Sequence, residues 1–247
     1  MQFDDNTKKY LSGSSFSSGL TIKICQKGDL LEDRLSIIEN ITKGKEIIHL
    51  GCVDHLPLIE EKIRKNVWLH SRLCSCTHRC LGIDINSEGI KYLETKLGYT
   101  DLVCADITKS DISELMGNQW DYLIMGEILE HLDNPCAFLT AIHEKYSQNI
   151  GRMVITVPNA LSWQNISYTF SHEECINTDH RYWFTPYTLG KIITQAGMEV
   201  DEFFFCQPFP SQRGILSWLI HPMALFRQAI IRKYPATRQT LVMVVKL

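Results

Sequence analysis

The stretch KEIIHLGCVD (45–54) decides the fold. Ile47, Ile48 and Leu50 make a short apolar run that stops at Gly51, as a buried strand does when it enters a tight turn. Six further runs of this kind follow: CLGIDI (80–85), DLVCA (101–105), WDYLIM (120–125), RMVITV (152–157), the segment 198–205, and LVMVVK (241–246). Helical spacing fills the intervals. Ile90, Leu93 and Leu97 follow Asn86 as a cap and stop at Gly98. Phe138, Leu139, Ile142 and Tyr146 share a face after Asn134-Pro135, and Leu189, Ile192, Ile193 and Ala196 run from Thr185-Pro186 to Gly197. Strands alternating with helices predict an α/β domain with a doubly wound, mostly parallel sheet covered on both faces.

Composition narrows the class. The 247 residues are 45% hydrophobic and 21% charged, which excludes a disordered chain and suffices for a full core. Lys+Arg 25 against Asp+Glu 28 leaves a net charge of −3, a balance that offers nucleic acid no general attraction. Residues 1–31 read as an N-terminal appendage with a Ser/Gly linker, SGSSFSSG (12–19). Residues 32–247 read as the main domain, with insertions near 158–184 and 207–238. No signal peptide is visible and no apolar run of about 20 residues occurs, so a cytoplasmic location is expected. The segment ILSWLIHPMALFRQAII (215–231) is a candidate dimer face or membrane-surface contact.

Nine cysteines then imply reduced thiols. The dense patch of Cys74, Cys76, His78 and Cys80 has zinc-ligand chemistry. It lacks the second, separated pair that structural zinc sites use, and small apolar filler is the competing reading.

Ligands of an open α/β sheet sit beyond the carboxyl ends of the strands. Those ends carry Gly51-Cys52, Asp84, Asp106 and Gly126-Glu127. An acid closing the second strand suits a ribose diol, and Asp106 an adenine amine. HLGCVD (49–54), GIDIN (82–86), CADIT (104–108), WDYLIMGEILEHLDNP (120–135), VITVPN (154–159) and HRYWFTPYTLGKIITQAGMEV (180–200) occur in order. Together they resemble the class I S-adenosylmethionine-dependent methyltransferases, in the subgroup with a GE-x-x-EHL segment. The ubiquinone-biosynthesis and sugar or glycan O-methyltransferases are of this kind.

The resemblance implies a Rossmann-like seven-stranded sheet with an antiparallel last strand, and S-adenosylmethionine as cofactor. Gly51 and Cys52 would turn under its methionine part, and Asp84 would hold the ribose, with Ile85 on the adenine. Asp106 would meet the adenine amine with Ile107 beside it, and Gly126 and Glu127 would line the methyl-donor end. Two departures stand out. Val53 replaces the usual second glycine, and Gly51 to Asp84 is about a dozen residues longer than the usual spacing of about 20. The added piece contains Trp68-Leu69-His70, either a lid or wall for the substrate or a surface helix with one buried tryptophan.

Glu127, Glu130 and His131 would share one face of a helix begun after the fourth strand. Two carboxylates and an imidazole there suit general-base catalysis or a divalent cation such as magnesium. His180 is the fourth candidate ligand. Metal-dependent ribose 2′-O-methyltransferases of RNA ends resemble this set, with an ion held by residues corresponding to Glu127, Glu130, His131 and His180. The alternative leaves His131 as a metal-free base, supported by Glu130 and His180. An O-methyltransferase of a sugar or other polyhydroxylated small molecule, in nucleotide-linked, glycan or lipid-linked form, leads. An RNA-end methyltransferase and a degenerate cofactor-binding partner in a biosynthetic complex are the competing readings.

Overall fold

A computed structural model describes residues 1–24, 33–208 and 222–247. Seven strands form one sheet in the order β3-β2-β1-β4-β5-β7-β6. They are β1 (Glu46–Leu50), β2 (Arg79–Asp84), β3 (Leu102–Cys104), β4 (Trp120–Gly126), β5 (Ile150–Pro158), β6 (Glu199–Cys206) and β7 (Thr240–Lys246). The first five pair in parallel, whereas β7 runs antiparallel to both β5 and β6. The expected seven-stranded architecture with an antiparallel last strand is therefore present.

Alternation along each strand feeds two apolar layers. On β1, Ile48 and Leu50 join one layer and Ile47 the other. On β7, Leu241, Met243 and Val245 face the first layer, and Val242 and Val244 the second. Helices cover both faces. They are α1 (Asp5–Ser12), α2 (Arg34–Thr42), α3 (Ile59–Arg64), α4 (Leu69–Cys76), α5 (Ser87–Leu97), α6 (Ser113–Met116), α7 (Pro135–Tyr146), α8 (Trp163–Phe170), α9 (Pro186–Gln195) and α10 (Pro222–Lys233).

The caps read from the sequence are made. Asn86 accepts from Gly89 N at 2.9 Å, Asn134 accepts from Ala137 N, and Thr185 closes a capping box with Thr188. Gly98 ends α5 in the left-handed region, φ 75°.

The N-terminal segment differs from the expected appendage. Phe3 and Leu11 are buried in the main core, and Phe3 stacks on Phe203 with ring centroids 4.7 Å apart. The Met1 nitrogen donates to Phe203 O and Phe203 N returns a bond to Met1 O, each at 2.8 Å. Lys191 Nζ on α9 donates to Tyr10 O at 2.6 Å. These contacts cover the free edge of β6, which would otherwise present unpaired backbone groups. The buried Phe3, Thr7 and Leu11 recur every four residues among polar neighbours, Phe3 just before the Asp4 cap and the other two on one face of α1.

The first expected insertion contains α8 and an extended run to Phe184, which bridges Asn159. Of the second, 209–221 lie outside the described residues, as does Cys25. The suggested contact at 215–231 falls partly there. Among the described residues, no helix is long and apolar enough to cross a membrane.

Truncating Leu11 to Ala is expected to cost about 2–5 kcal/mol in urea unfolding of the whole domain. A detachable appendage would show no change in the main transition.

Candidate functional site

The strand order reverses between β1 and β4, so the loops leaving their carboxyl ends diverge and open a crevice. A cleft of about 570 Å³ lies there, lined by residues that include Gly51, Asp84, Gly126, Glu127 and His131. A groove of about 700 Å³ sits at the opposite, amino ends of β1, β4 and β5. Size favours that groove, but the strand-end rule and the titratable side chains favour the cleft.

The turn after β1 is built from backbone hydrogen bonds. Gly51 N and Cys52 N both donate to Ile83 O, at 2.8 and 3.4 Å. Gly51 has φ 74°, and a Cβ there would come 3.0 Å from Ile128 Cδ1. Val53 N donates to Asp84 Oδ2 at 3.0 Å, and Asn86 N to Asp84 Oδ1 at 2.9 Å. Each carboxylate oxygen keeps acceptor capacity toward the cleft.

Val53 fits without a second glycine in the turn because its side chain packs against α5. A Cβ on Gly89 would stand 2.3 Å from Val53 Cγ1. The small residue has moved across the interface.

Other expected cofactor contacts divide. Ile85 is 76% exposed just past β2, an apolar surface without a cover. The side chain of Cys52 turns away into a buried cluster with Ile59, Trp68 and Leu93, where burial and Asp84 push its thiol up. Ile107 is packed into the main core. Asp106 accepts from Thr108 N and Oγ1, and its Oδ2 pairs with Lys109 at 2.9 Å. The Thr108 hydroxyl, then Lys109, hold its carboxyl down to about 2. Neither Asp106 nor Ile107 lines the cleft.

After β4 the expected helix is absent. Glu127 takes φ 57°, and the chain makes a 3₁₀ turn over Leu129–His131. Glu127 Oε1 consequently accepts from Thr156 Oγ1 at 3.1 Å and lies 3.8 Å from Arg34 Nη1. Glu130 instead is fully buried, and neither of its carboxylate oxygens has a hydrogen-bond partner. Glu130 Oε1 is 3.9 Å from His131 Nε2 and 4.0 Å from His180 Nε2. Three of the four expected ligands thus converge within 4.8 Å, without Glu127.

The second imidazole arrives because the run before α9 is bonded to the 3₁₀ turn. Arg181 N donates to Glu130 O at 2.7 Å, Arg181 Nη1 donates to His131 O, and Tyr182 Oη donates to Asp133 O at 2.8 Å. Asp179 meets His131: its carbonyl lies 3.3 Å from His131 Nδ1. A carbonyl only accepts, so Nδ1 carries the proton and Nε2 keeps its lone pair toward Glu130. Burial, then the Glu127 charge, pushes the Glu130 carboxyl up to about 8. Burial, then His131, lowers His180. In its neutral form His131 thus presents Nε2 to a cation or a transferred proton.

Trp68 and Leu69 line the cleft, and Trp68 is the buried tryptophan at the head of α4. Trp163 packs against Phe226. Arg34 escaped the sequence reading. It follows the Asp33 cap of α2, lines the cleft, and has a buried Nε without a hydrogen-bond partner. Its signal was only one cation in an apolar helix.

A family model described as a methyltransferase domain matches residues 26–202. No curated protein matches the chain. Among solved structures, the chain is similar to the small RNA methyltransferase HEN1, with 14% identity, 93% of this chain and 27% of that chain covered, and a TM-score of 0.54. The methyltransferase domain of bacterial CtHen1 shares 16% identity over 87% of this chain and 98% of that one, TM-score 0.50. A cyclopropane-fatty-acyl-phospholipid synthase-like protein from Lactobacillus casei shares 14% over 87% and 89%, TM-score 0.50. At these identities the likeness is one of fold.

Gly89→Ala is expected to destabilise the domain by about 1–3 kcal/mol through overpacking on Val53, with Val53→Ala in the same chain restoring most of it. A raised carboxyl pKa means that the folded state holds a proton the unfolded state has lost. In chelator-treated protein, the Glu130 contribution to stability is therefore full below about 4.5 and declines until about pH 8. Melting curves of Glu130→Gln should lack that decline; a parallel pH dependence in both proteins would contradict the assignment.

Proposed function

We propose, from the premise that the chain belongs to the methyltransferase-domain family, that it is an S-adenosylmethionine-dependent O-methyltransferase of a polyhydroxylated acceptor. A sugar, in nucleotide-linked, glycan or lipid-linked form, is the acceptor class. The observation that carries this reading is the convergence of Glu130 Oε1, His131 Nε2 and His180 Nε2 beside the strand-end cleft, which His131 lines.

The cofactor fits the residues present. Asp84 has acceptor capacity for the ribose hydroxyls, Ile85 offers an apolar face for the adenine, and the Arg34 guanidinium suits a carboxylate. The sulfonium supplies an electrophilic methyl group. What the chain must add is alignment, worth about 7–11 kcal/mol when the geometry is near attack, and a destination for the acceptor's proton. His131 Nε2 is that destination, held in the right tautomer by the Asp179 carbonyl.

A divalent cation also fits. Two buried carboxylate oxygens without hydrogen-bond partners and two ring nitrogens, with one ligand atom of each residue within 4.8 Å of the others, form a donor set of the kind a cation takes. Glu130, His131 and His180 would hold it, and when bound it would lower the pKa of a coordinated alcohol. Glu127, tied to Thr156 and near Arg34, stands behind the set rather than in it. An amine acceptor would need neither base nor cation as strongly, which favours a hydroxyl. Ribose at an RNA end presents the same neighbouring hydroxyls, but a net charge of −3 provides no field for phosphates.

Calorimetry should detect S-adenosylmethionine binding, and its absence would end the proposal. Transfer of labelled methyl to a panel of sugars, sugar nucleotides and RNA 3′ ends should favour the sugars; salt-sensitive transfer to RNA would reverse that choice. Glu130→Gln, His180→Ala and chelation should each lower turnover by about 10²–10⁴-fold with cofactor affinity largely kept. Full activity after chelation would leave His131 as a metal-free base.

A further inference from the structure

A second group of ligating side chains lies beside β1, where α4 meets β2. His70 and Cys74 stand four residues apart on α4, so they share a face, and Cys80 comes from β2. One ring nitrogen of His70 and the two sulfurs all lie within 4.8 Å of one another. Cys74 Sγ is 3.7 Å from His70 Nε2, and Cys80 Sγ is 3.8 Å from His70 Nδ1. Zinc bonds of about 2.3 Å to sulfur and about 2.0–2.1 Å to nitrogen, at tetrahedral angles, separate ligand atoms by about 3.5–3.8 Å. The Cys74–Nε2 spacing is of that size, and Cys80 Sγ stands beside the same ring, within 4.8 Å of the other ligand atoms.

An outer partner is in place as well. His49 Nδ1 lies 3.1 Å from His70 Nδ1. The His49 ring nitrogen is placed to accept a hydrogen bond from His70 Nδ1–H, which leaves the Nε2 lone pair facing Cys74. Histidines that bind metals are oriented in this way by a second acceptor. Access is available because Cys74 is only half-buried, whereas His70 and Cys80 are enclosed.

We propose that His70, Cys74 and Cys80 form a binding site for one thiophilic divalent cation of the zinc class. Both thiols lose their protons to solvent on binding, and two thiolates with a neutral imidazole balance the dication, so the enclosed site is electrically neutral. Three protein ligands leave the fourth position open. The site fastens α4 to the sheet, and because Trp68 and Leu69 lead into α4, it steadies a wall of the cleft. Cys76 and His78, adjacent in sequence, are not part of it: Cys76 Sγ donates to Leu73 O at 3.5 Å.

The test uses the reduced, metal-free full chain. One equivalent of cobalt should produce a thiolate-to-cobalt charge-transfer band, which the oxygen and nitrogen donors of Glu130, His131 and His180 cannot give. Zinc should bleach the band and protect two thiols from a thiol reagent, identified as Cys74 and Cys80 by mass spectrometry. Cys74→Ser and Cys80→Ser should lose the band, while Cys76→Ser and Glu130→Gln keep it. No charge-transfer band, no zinc protection of the wild-type thiols, or a band that survives Cys80→Ser would each overturn the proposal. Because the wild-type readouts need no substitution, a poorly folding variant does not rescue it.

Discussion

Parallel pairing of β1 with β2 on one side and β4 on the other is the constraint from which the rest follows. Parallel neighbours need crossover connections, and crossovers in opposite directions from β1 leave its carboxyl end uncovered. Gly51, Asp84 and Glu127 are then brought to one cleft although they lie on three separate strand ends. The turn that forms its floor is pinned to Ile83 O and Asp84, so the geometry is set by the sheet and little by the loop's own composition.

Glu130 is the point at which packing and chemistry conflict. A carboxyl group with no hydrogen-bond partner is costly to bury, and burial raises its pKa to about 8. The surrounding structure enforces it nonetheless. Leu129 is locked in the core, the left-handed Glu127 aims the turn, and the run around Arg181 is bonded to the outer side of the same turn. The Nε2 atoms of His131 and His180 therefore stand 3.9 and 4.0 Å from Glu130 Oε1, and the site is organised before any ligand enters.

Much of the architecture was legible because burial on both faces leaves an unmistakable apolar pattern, as in the run over 241–245, where all five residues are buried. Helix ends were legible where caps are chemical, as at Asn86 and Thr185. Illegible features depended on contacts distant in sequence. The role of Phe3 and Leu11 rests on α9 and Phe203, some 200 residues away, and the fit of Val53 rests on the empty space at Gly89. The position of Asp106 was right for a strand end, but Thr108 and Lys109 occupy its oxygens.

By itself the sequence determined the sheet, its helical cover and the strand ends at which acids and glycines cluster, since these follow from hydrophobic period and local turn chemistry. Only the tertiary structure decided which of those residues act together. A single backbone torsion, φ 57° at Glu127, separates it from Glu130 and turns an expected helical face into a 3₁₀ turn. Long-range hydrogen bonds bring His180 to Glu130, and packing of α4 on β2 selects His70 in place of Cys76 and His78. Torsions of this kind and contacts of this range are set by the balance of the whole core, which no local pattern records.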